Sequence, residues 1–249
     1  MGRIVGESDR PNQRTKIVRL HFHRPIIGVL VLLAHSAPVS AAGGAYAVDD
    51  AVIGAVGDCQ VETWVSSADN GNRILVSQPA CVANFGIPVE ITVSPQAVRT
   101  DGDWAAIGGL QAKSVLIPIE HHQVGMALSV GTLVDFSSGE GVQTYVNVPV
   151  SVHLGAQLRI NLNGGWSLDE LTDVHHATWG GGFEWDFATA LSLIGEVYGQ
   201  VGNDGDHDPR AQAGVRYSPS DTIDCDVIYG DNVTGERAQW LTAGLALRF

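Results

Sequence analysis

The sequence predicts an all-β fold: a single antiparallel up-and-down barrel of about twelve strands, with ten as the alternative. Three observations lead to this prediction. Apolar and polar residues alternate through successive segments of about 10 to 14 residues, with turn signals between them. No amphipathic helix longer than about two turns is convincing. The alternation also continues to the end of the chain, where QWLTAGLALRF stops on Phe249, although chain ends are normally frayed and polar.

The amino-terminal region has the order of a secretory signal peptide. Six basic residues precede an apolar run at Ile26 to Ala34, and small residues follow it. This run is much shorter than the roughly 20 residues that a membrane-spanning helix needs. We expect residues 1–47 to be removed, with cleavage after Ala42 as the alternative. Residues 48–57 then form a short disordered segment before a barrel over residues 58–249.

The composition limits the partners of the exported chain. Removing residues 1–47 takes away six of the 14 basic side chains and two of the 27 acidic ones, so the net charge falls from −13 to −17. Nucleic acid and anionic lipid are poor partners for such a surface. After the signal no apolar segment approaches 18 residues, which excludes a helical membrane protein and leaves a barrel allowed.

Twelve segments of alternating residues follow in order, and about 9 to 11 residues suffice for a tilted strand to cross a bilayer. Gly, Pro, Asn and Asp between them supply the turn chemistry. The predicted strands are Cys59 to Asp69, Asn72 to Ala83, Ile87 to Arg99, Trp104 to Ile117, His122 to Phe136, Val142 to Val152, Ala156 to Trp166, His176 to Phe187, Leu191 to Val201, Arg210 to Ser218, Thr222 to Asp231 and Ala238 to Phe249.

The connections differ between the two predicted rims. Those after even-numbered strands are minimal, whereas most of those after odd-numbered strands are longer and more polar. The longer ones are Ser137 to Gly141, Ser167 to His175, Gly202 to Pro209 and Asn232 to Arg237. Short turns at one rim and longer loops at the other are typical of an outer-membrane barrel with both termini in the periplasm. A soluble β-sandwich is the alternative that this parity disfavours.

Two of the three cysteines are predicted to form a disulfide, which persists in exported proteins. Cys59 and Cys81 flank Asn70-Gly71, a strong signal for a two-residue hairpin turn. Pairing about that turn places Cys59 opposite Val82, so a one-residue adjustment brings the thiols into bonding range. Cys225 lies on an apolar face and is expected to stay reduced and face lipid.

The two faces of the predicted strands differ in chemistry. In a bilayer the apolar face must point outward, so the charged residues line the interior. The predicted lumen-lining residues are Lys113, Arg159, Glu184, Asp186, Glu196, Arg216, Asp224, Asp226 and Arg248. They either define a small polar passage or fill a narrow barrel with ion-pair networks. Aromatic residues near strand ends predict interfacial girdles, namely Trp179, Trp185, Tyr198, Tyr217, Tyr229 and Trp240.

Several short motifs lie in the second half of the chain, from about Leu110 to Phe249. They are Gly165-Trp166, Gly180 to Glu184, Ile194 to Glu196, Gly214 to Pro219, Asp226 to Gly230 and Gly244 to Phe249. On these motifs the chain resembles the outer-membrane barrels named for the meta-pathway of phenol degradation. The resemblance implies a transporter-like barrel. The ending also resembles the terminal strand of outer-membrane barrels, in which the last aromatic residue, here Phe249, is part of the signal read by the barrel-assembly machinery.

The predicted function is a passive porin-like conduit or binding barrel for small polar or aromatic solutes in the outer membrane. Its expected partners are outer-membrane lipid, the barrel-assembly machinery and the solutes, with no cofactor and no enzymatic activity. One alternative is a filled structural barrel without transport. Another is a hydrolase at the outer rim, where acid and histidine pairs could activate water. The rim residues are Asp169, Glu170, Asp173, His175 and His176, with Asp206 and His207 on the next loop.

One loop offers a weak metal motif. Asp204, Asp206 and Asp208 stand at alternate positions, as oxygen ligands for Ca²⁺ often do. The sixth position is Pro209 where a calcium loop needs glycine, and no glutamate follows at the twelfth. No metal site is therefore predicted, and a solvated acidic loop is expected.

Overall fold

The computed structural model describes residues 45–119, 123–202, 207, 209–235 and 238–249. Twelve strands account for most of them, which confirms the predicted all-β fold. They are β1 (Cys59–Ala68), β2 (Arg73–Asn84), β3 (Pro88–Thr100), β4 (Asp103–Ile117), β5 (Val124–Asp135), β6 (Gly141–His153), β7 (Leu158–Asp169), β8 (Val174–Ala188), β9 (Leu191–Gly202), β10 (Arg210–Ser220), β11 (Ile223–Asn232) and β12 (Trp240–Arg248).

The strands close into one antiparallel barrel. Each strand pairs with its neighbours in sequence, and β1 pairs with β12. Closure removes the unpaired edges of an open sheet, so the ladder satisfies its own backbone groups. The seam extends to the last residue, because Cys59 and Phe249 exchange backbone hydrogen bonds of 2.9 Å in both directions. We call the rim that carries Phe249 and the turn 85–87 the Phe249 end, and the other rim the opposite end.

Large apolar side chains cover the outer surface of the barrel. Exposed examples on eight of the strands are Val65, Leu75, Val93, Leu110, Leu162, Val215, Val227 and Leu241. A continuous apolar surface of this extent is suited to contact with the hydrocarbon core of a bilayer. Among the described residues, no helix is long and apolar enough to cross a membrane.

Four of the six predicted girdle aromatics lie on this outer surface: Trp179, Trp185, Tyr217 and Tyr229. The prediction was wrong for Trp240, whose indole Nε1 donates a hydrogen bond to Gln212 Oε1 at 3.3 Å inside the barrel. It was also wrong for Tyr198, which shares its strand face with the buried Glu196. Both side chains have a polar group that the interior can satisfy, so proximity to a strand end does not decide the face.

The first hairpin has a three-residue turn instead of the predicted two-residue turn. The Ala68 amide donates to the Asn72 carbonyl at 2.9 Å, and Gly71 has a φ of 87°, which glycine adopts without strain. The extra turn residue shifts the register by one, so Cys59 pairs directly with Cys81. The predicted disulfide between them is confirmed. Cys225 is free and exposed on the outer face.

Removing this disulfide is expected to destabilise the barrel. The bridge links residues 22 positions apart, so Cys59→Ser combined with Cys81→Ser should lower the free energy of unfolding by on the order of 3 kcal/mol. Denaturant titration of the refolded protein, followed by gel mobility, measures the change. Cys225→Ser is the matched control and should leave the transition unchanged. A non-reduced digest that joins Cys225 to either other cysteine would contradict the face assignment of β11.

The connection between β7 and β8 at the opposite end is shorter than predicted. The segment 167–175 was expected to be a loop, but β7 continues to Asp169 and β8 begins at Val174. The alternation continues through this stretch, since Ser167 and Asp169 are buried while Leu168 between them is not. Its polar residues suggested a loop because sequence composition does not distinguish a polar lumen from solvent. The longest connections at this end cover 203–209 and 233–239.

Candidate functional site

The inner wall of the barrel is polar. The nine charged residues predicted to line the lumen all stand at inward-facing strand positions, and five of them are nearly inaccessible. These five are Lys113, Glu196, Arg216, Asp224 and Asp226. Because an isolated buried charge is costly, each needs a partner. The partners come partly from the wall and partly from the amino-terminal segment.

Residues 45–52 occupy the interior of the barrel. The chain enters from the Phe249 end, where β1 begins, and Tyr46, Val48, Asp49, Asp50 and Ala51 are each at most 1% exposed. We call residues 45–52 the luminal segment. From the sequence we expected residues 45–47 to be removed with the signal and residues 48–57 to form a short disordered start. Its order comes from the wall that surrounds it.

The wall binds the backbone of the luminal segment. The amides of Ala47 and Val48 donate to the Glu196 carboxylate at 2.9 and 3.2 Å. The Asp49 amide donates to Asn163 Oδ1 at 2.8 Å, and Asn163 Nδ2 donates back to the Asp49 carbonyl at 2.7 Å. A segment without secondary structure thus has its buried peptide groups satisfied by side chains.

Two adjacent carboxylates of the luminal segment meet the cations of the wall. Lys113 Nζ lies 2.8 Å from Asp49 Oδ1 and 3.3 Å from Asp50 Oδ1. Arg159 approaches Asp50 Oδ2 at 3.2 Å. The Asp49 and Lys113 side chains are 0% and 4% exposed, so the pair is almost fully desolvated. Removing either partner of such a pair leaves an uncompensated buried charge.

The ion pairs continue around the wall beyond Arg159. Its guanidinium contacts Glu184 at 2.5 Å, and Arg216 contacts the same carboxylate at 3.5 Å. Arg216 Nε then donates to Asp226 Oδ1 at 2.9 Å. We call the chain from Lys113 through Asp49, Asp50, Arg159, Glu184 and Arg216 to Asp226 the charge network. It joins β4, β7, β8, β10 and β11 through the luminal segment.

A polar cavity of about 580 Å³ lies between the charge network and the Phe249 end, bordered by the β8–β9 turn residues Thr189 and Ala190. Its remaining walls include Gln157, Asp186, Ser192, Ser218, Asp224 and Arg248. Arg248 and Asp224 form an ion pair at 2.5 Å, and Ser192 donates to Asp186 at 2.6 Å. We call this cavity the vestibule. Its volume is that of a site for a small molecule.

The lumen changes character toward the opposite end. Five apolar residues on consecutive strands face inward there and pack together: Ile74, Val98, Ile107, Leu133 and Val142. We call them the apolar wall. Apolar linings of a pore exclude water and restrict ions.

Gly180, in the predicted GGGFE motif, leaves room for the luminal segment. A Cβ atom at Gly180 would lie 2.9 Å from Val48 Cγ2, closer than real Cβ contacts allow. The next residue, Gly181, points outward and would meet only Leu162 at 3.5 Å. The absence of a side chain at Gly180 is therefore a packing requirement of the luminal segment.

The predicted rim residues that the structure describes lie in different surroundings at the opposite end. His175 stacks on Trp166, with ring centroids 5.6 Å apart, whereas His176 is buried on the other face of β8. Glu170 accepts a hydrogen bond from Thr144 at 2.5 Å. Asp173 has a positive φ in the tight turn between β7 and β8. Asp206 lies outside the described residues, and His207 forms an isolated bridge with Val201.

Of the weak metal candidates, Asp204, Asp206 and Asp208 all lie outside the described residues. Within the part of the chain that the structure describes, no group of three or more metal-ligating side chains occurs.

Sequence reasoning missed four carboxylates of the lumen. Glu62 and Glu90 stand on the inward faces of β1 and β3, at 3% and 8% exposure. The alternation of those strands would have placed them there. Asp49 and Asp50 carried no such signal, since they lie before the first strand. Only the threading of the segment into the lumen brings them to Lys113.

The model of one protein family, described as "Uncharacterised conserved protein UCP029691", matches residues 29–249. The chain belongs to this family. A comparison with curated proteins finds no match.

Several solved structures are similar to this family member. The KdgM porin has a TM-score of 0.60 at 10% sequence identity, over 76% of this chain and 99% of that porin. The NanC porin has a TM-score of 0.60 at 8% identity, over 75% and 98%. The COG4313 outer membrane channel from Pseudomonas putida F1 has a TM-score of 0.57 at 10% identity, over 80% and 97%. At these identities the likeness establishes the fold, that of porin-like barrels.

Proposed function

We propose that this family member is an outer-membrane, porin-like barrel for small solutes, and that the luminal segment closes its lumen reversibly. The apolar outer surface and the signal-like amino terminus support the location. The porin-like fold and the polar inner wall support the conduit. The longer connections 203–209 and 233–239 support an orientation in which the Phe249 end faces the periplasm.

The observation that carries the proposal is the pairing of Asp49 and Asp50 with Lys113 and Arg159. A buried ion pair is often no more stabilising than apolar residues of similar volume. A permanently filled barrel therefore gains little from carboxylates at its centre. A segment held by ion pairs can leave the lumen at a lower free-energy cost than an apolar segment, because water and ions then solvate each charged group that it releases. The ion pairs of the luminal segment therefore favour reversible over permanent closure of the lumen.

Two linings suggest the class of solute. The vestibule offers charged and hydroxyl groups, whereas the apolar wall offers only hydrocarbon. A small solute with an apolar body and a polar group, such as a hydroxylated aromatic, matches both. The resemblance of the second half of the chain to the phenol-degradation barrels supports the same class. A small polar solute matches the vestibule alone.

Neutralising the two luminal carboxylates is expected to open the barrel. Hydrogen bonds to charged groups contribute about 1.5 kcal/mol or more each. Losing two of them through Asp49→Asn with Asp50→Asn should raise the ratio of open to closed barrels by roughly 100-fold. Single-channel recording of the refolded protein in planar bilayers measures this ratio. We expect rare openings in the unaltered protein and frequent ones in the variant.

Two matched controls separate release of the segment from general effects of charge. Asp103→Asn with Asp221→Asn removes two exposed carboxylates and should leave the openings unchanged. Gly180→Val pushes on Val48 without altering any charge and should open the barrel, whereas Gly181→Val should not. If none of these proteins conducts and none passes solutes in liposome swelling, the filled structural barrel is the correct interpretation. Faster swelling with phenol than with a sugar of similar size would favour the aromatic class.

A further inference from the structure

Tyr46 has a specific binding position inside the barrel. Its side chain is 1% exposed and packs against Ile194 and Ile228. Its hydroxyl donates to Asp226 Oδ1 at 3.4 Å, and the Arg216 guanidinium carbon lies 5.3 Å from the centre of the ring. A buried tyrosine with an apolar contact, a hydrogen-bond acceptor and a cation over its face is well accommodated.

The residues on either side of Tyr46 are also held by the wall. Gln212 Nε2 donates to the Ala45 carbonyl at 3.3 Å, and the Ala47 amide donates to Glu196. Three consecutive residues therefore make contacts that cleavage after Ala47 would discard. Such a cut would leave an empty space between Ile194 and Ile228, and cavities in a packed interior destabilise it.

We propose that signal cleavage spares Ala45, Tyr46 and Ala47, and that the bond cut is Ala42–Gly43. Ser40 and Ala42 then occupy the positions third and first before the cut, where signal peptidases require small residues. Water hydrolyses the amide, leaving a carboxylate on Ala42 and an amino group on Gly43. The mature terminus thus stands two residues before Ala45, and Tyr46 anchors the tip of the luminal segment.

The intact mass of the protein extracted from outer membranes tests this proposal. A mass that begins at Gly43 supports the proposal. A mass that begins at any later residue overturns it, as does a mass that retains the signal. Mature chains that begin at Gly43 and at Val48 differ in mass by the five residues 43–47, and an intact-mass spectrum resolves this difference. This measurement does not depend on conduction, so the proposed function can fail while the processing site stands.

A second measurement tests the anchor itself. Tyr46→Ala should lower the temperature at which the folded protein loses its distinct gel mobility, and Tyr46→Phe should lower it less, because the phenylalanine keeps the apolar contacts. Tyr217→Ala, at an exposed position on the outer surface, is the matched control for loss of a tyrosine. Equal midpoints for Tyr46→Ala and the unaltered protein would overturn the anchoring role. If Tyr46→Ala does not fold, the midpoint of Tyr46→Phe decides.

Discussion

Lys113→Met is expected to lower the free energy of unfolding by about 3 to 5 kcal/mol, the cost of breaking a buried ion pair by removing one partner. Lys113 Nζ contacts Asp49 and Asp50, and the buried Glu90 stands on the neighbouring strand, paired with Lys113 in the β3–β4 register. Without the ammonium, Asp49 has no cation at contact distance among the described residues. Denaturant titration in detergent, followed by the gel mobility of folded and unfolded forms, measures the loss.

A double variant separates the charge from the packing. Lys113→Met with Asp49→Asn removes both charges of the 2.8 Å pair and leaves no unpaired carboxylate at position 49. The double variant should therefore be more stable than Lys113→Met alone. Arg73→Met, at an exposed outward position on β2, is the control for loss of a basic residue and should have little effect. A Lys113→Met protein as stable as the unaltered one would show that the charge network does not hold the luminal segment.

Replacing Arg159 and Arg216 with alanine is expected to shift ion selectivity toward cations. Both arginines border the vestibule, which also contains Glu184, Asp186 and Asp224. At roughly 6 Å in a water-filled lumen, one unit charge changes the energy of a passing ion by about 0.7 kcal/mol, or about threefold in relative permeability per charge removed. Reversal potentials in a salt gradient measure the shift, with Asp49→Asn and Asp50→Asn present so that the lumen conducts.

The control removes two arginines from the outside of the barrel. Arg73 and Arg99 form a cross-strand pair at outward positions on β2 and β3. Arg73→Ala with Arg99→Ala should therefore leave the reversal potential unchanged. Unaltered selectivity in the Arg159 and Arg216 variant would show that these residues do not line the passage.

Alternation of polar and apolar residues was enough to predict the strands and their faces. It is a local property, because a strand at a bilayer boundary must present hydrocarbon on one side. Arg159, Glu196 and Asp226 could be placed inside for this reason. Alternation did not distinguish a polar lumen from solvent, so the ends of β7 and β8 were read as a loop. The register of the first hairpin also depended on one turn residue that a two-residue signal at Asn70-Gly71 did not reveal.

The sequence by itself therefore determined the class of fold, a count of about twelve strands, the inward face of strands such as β7, β10 and β11, and the disulfide partners. Each follows from neighbours in sequence or from a single hairpin. Only the tertiary structure decided what occupies the lumen. Asp49 reaches Lys113 across 64 positions, and Tyr46 reaches Asp226 across 180. Such contacts exist only after the barrel closes around the luminal segment, because closure creates the buried, charged interior in which two adjacent carboxylates and one tyrosine find their partners.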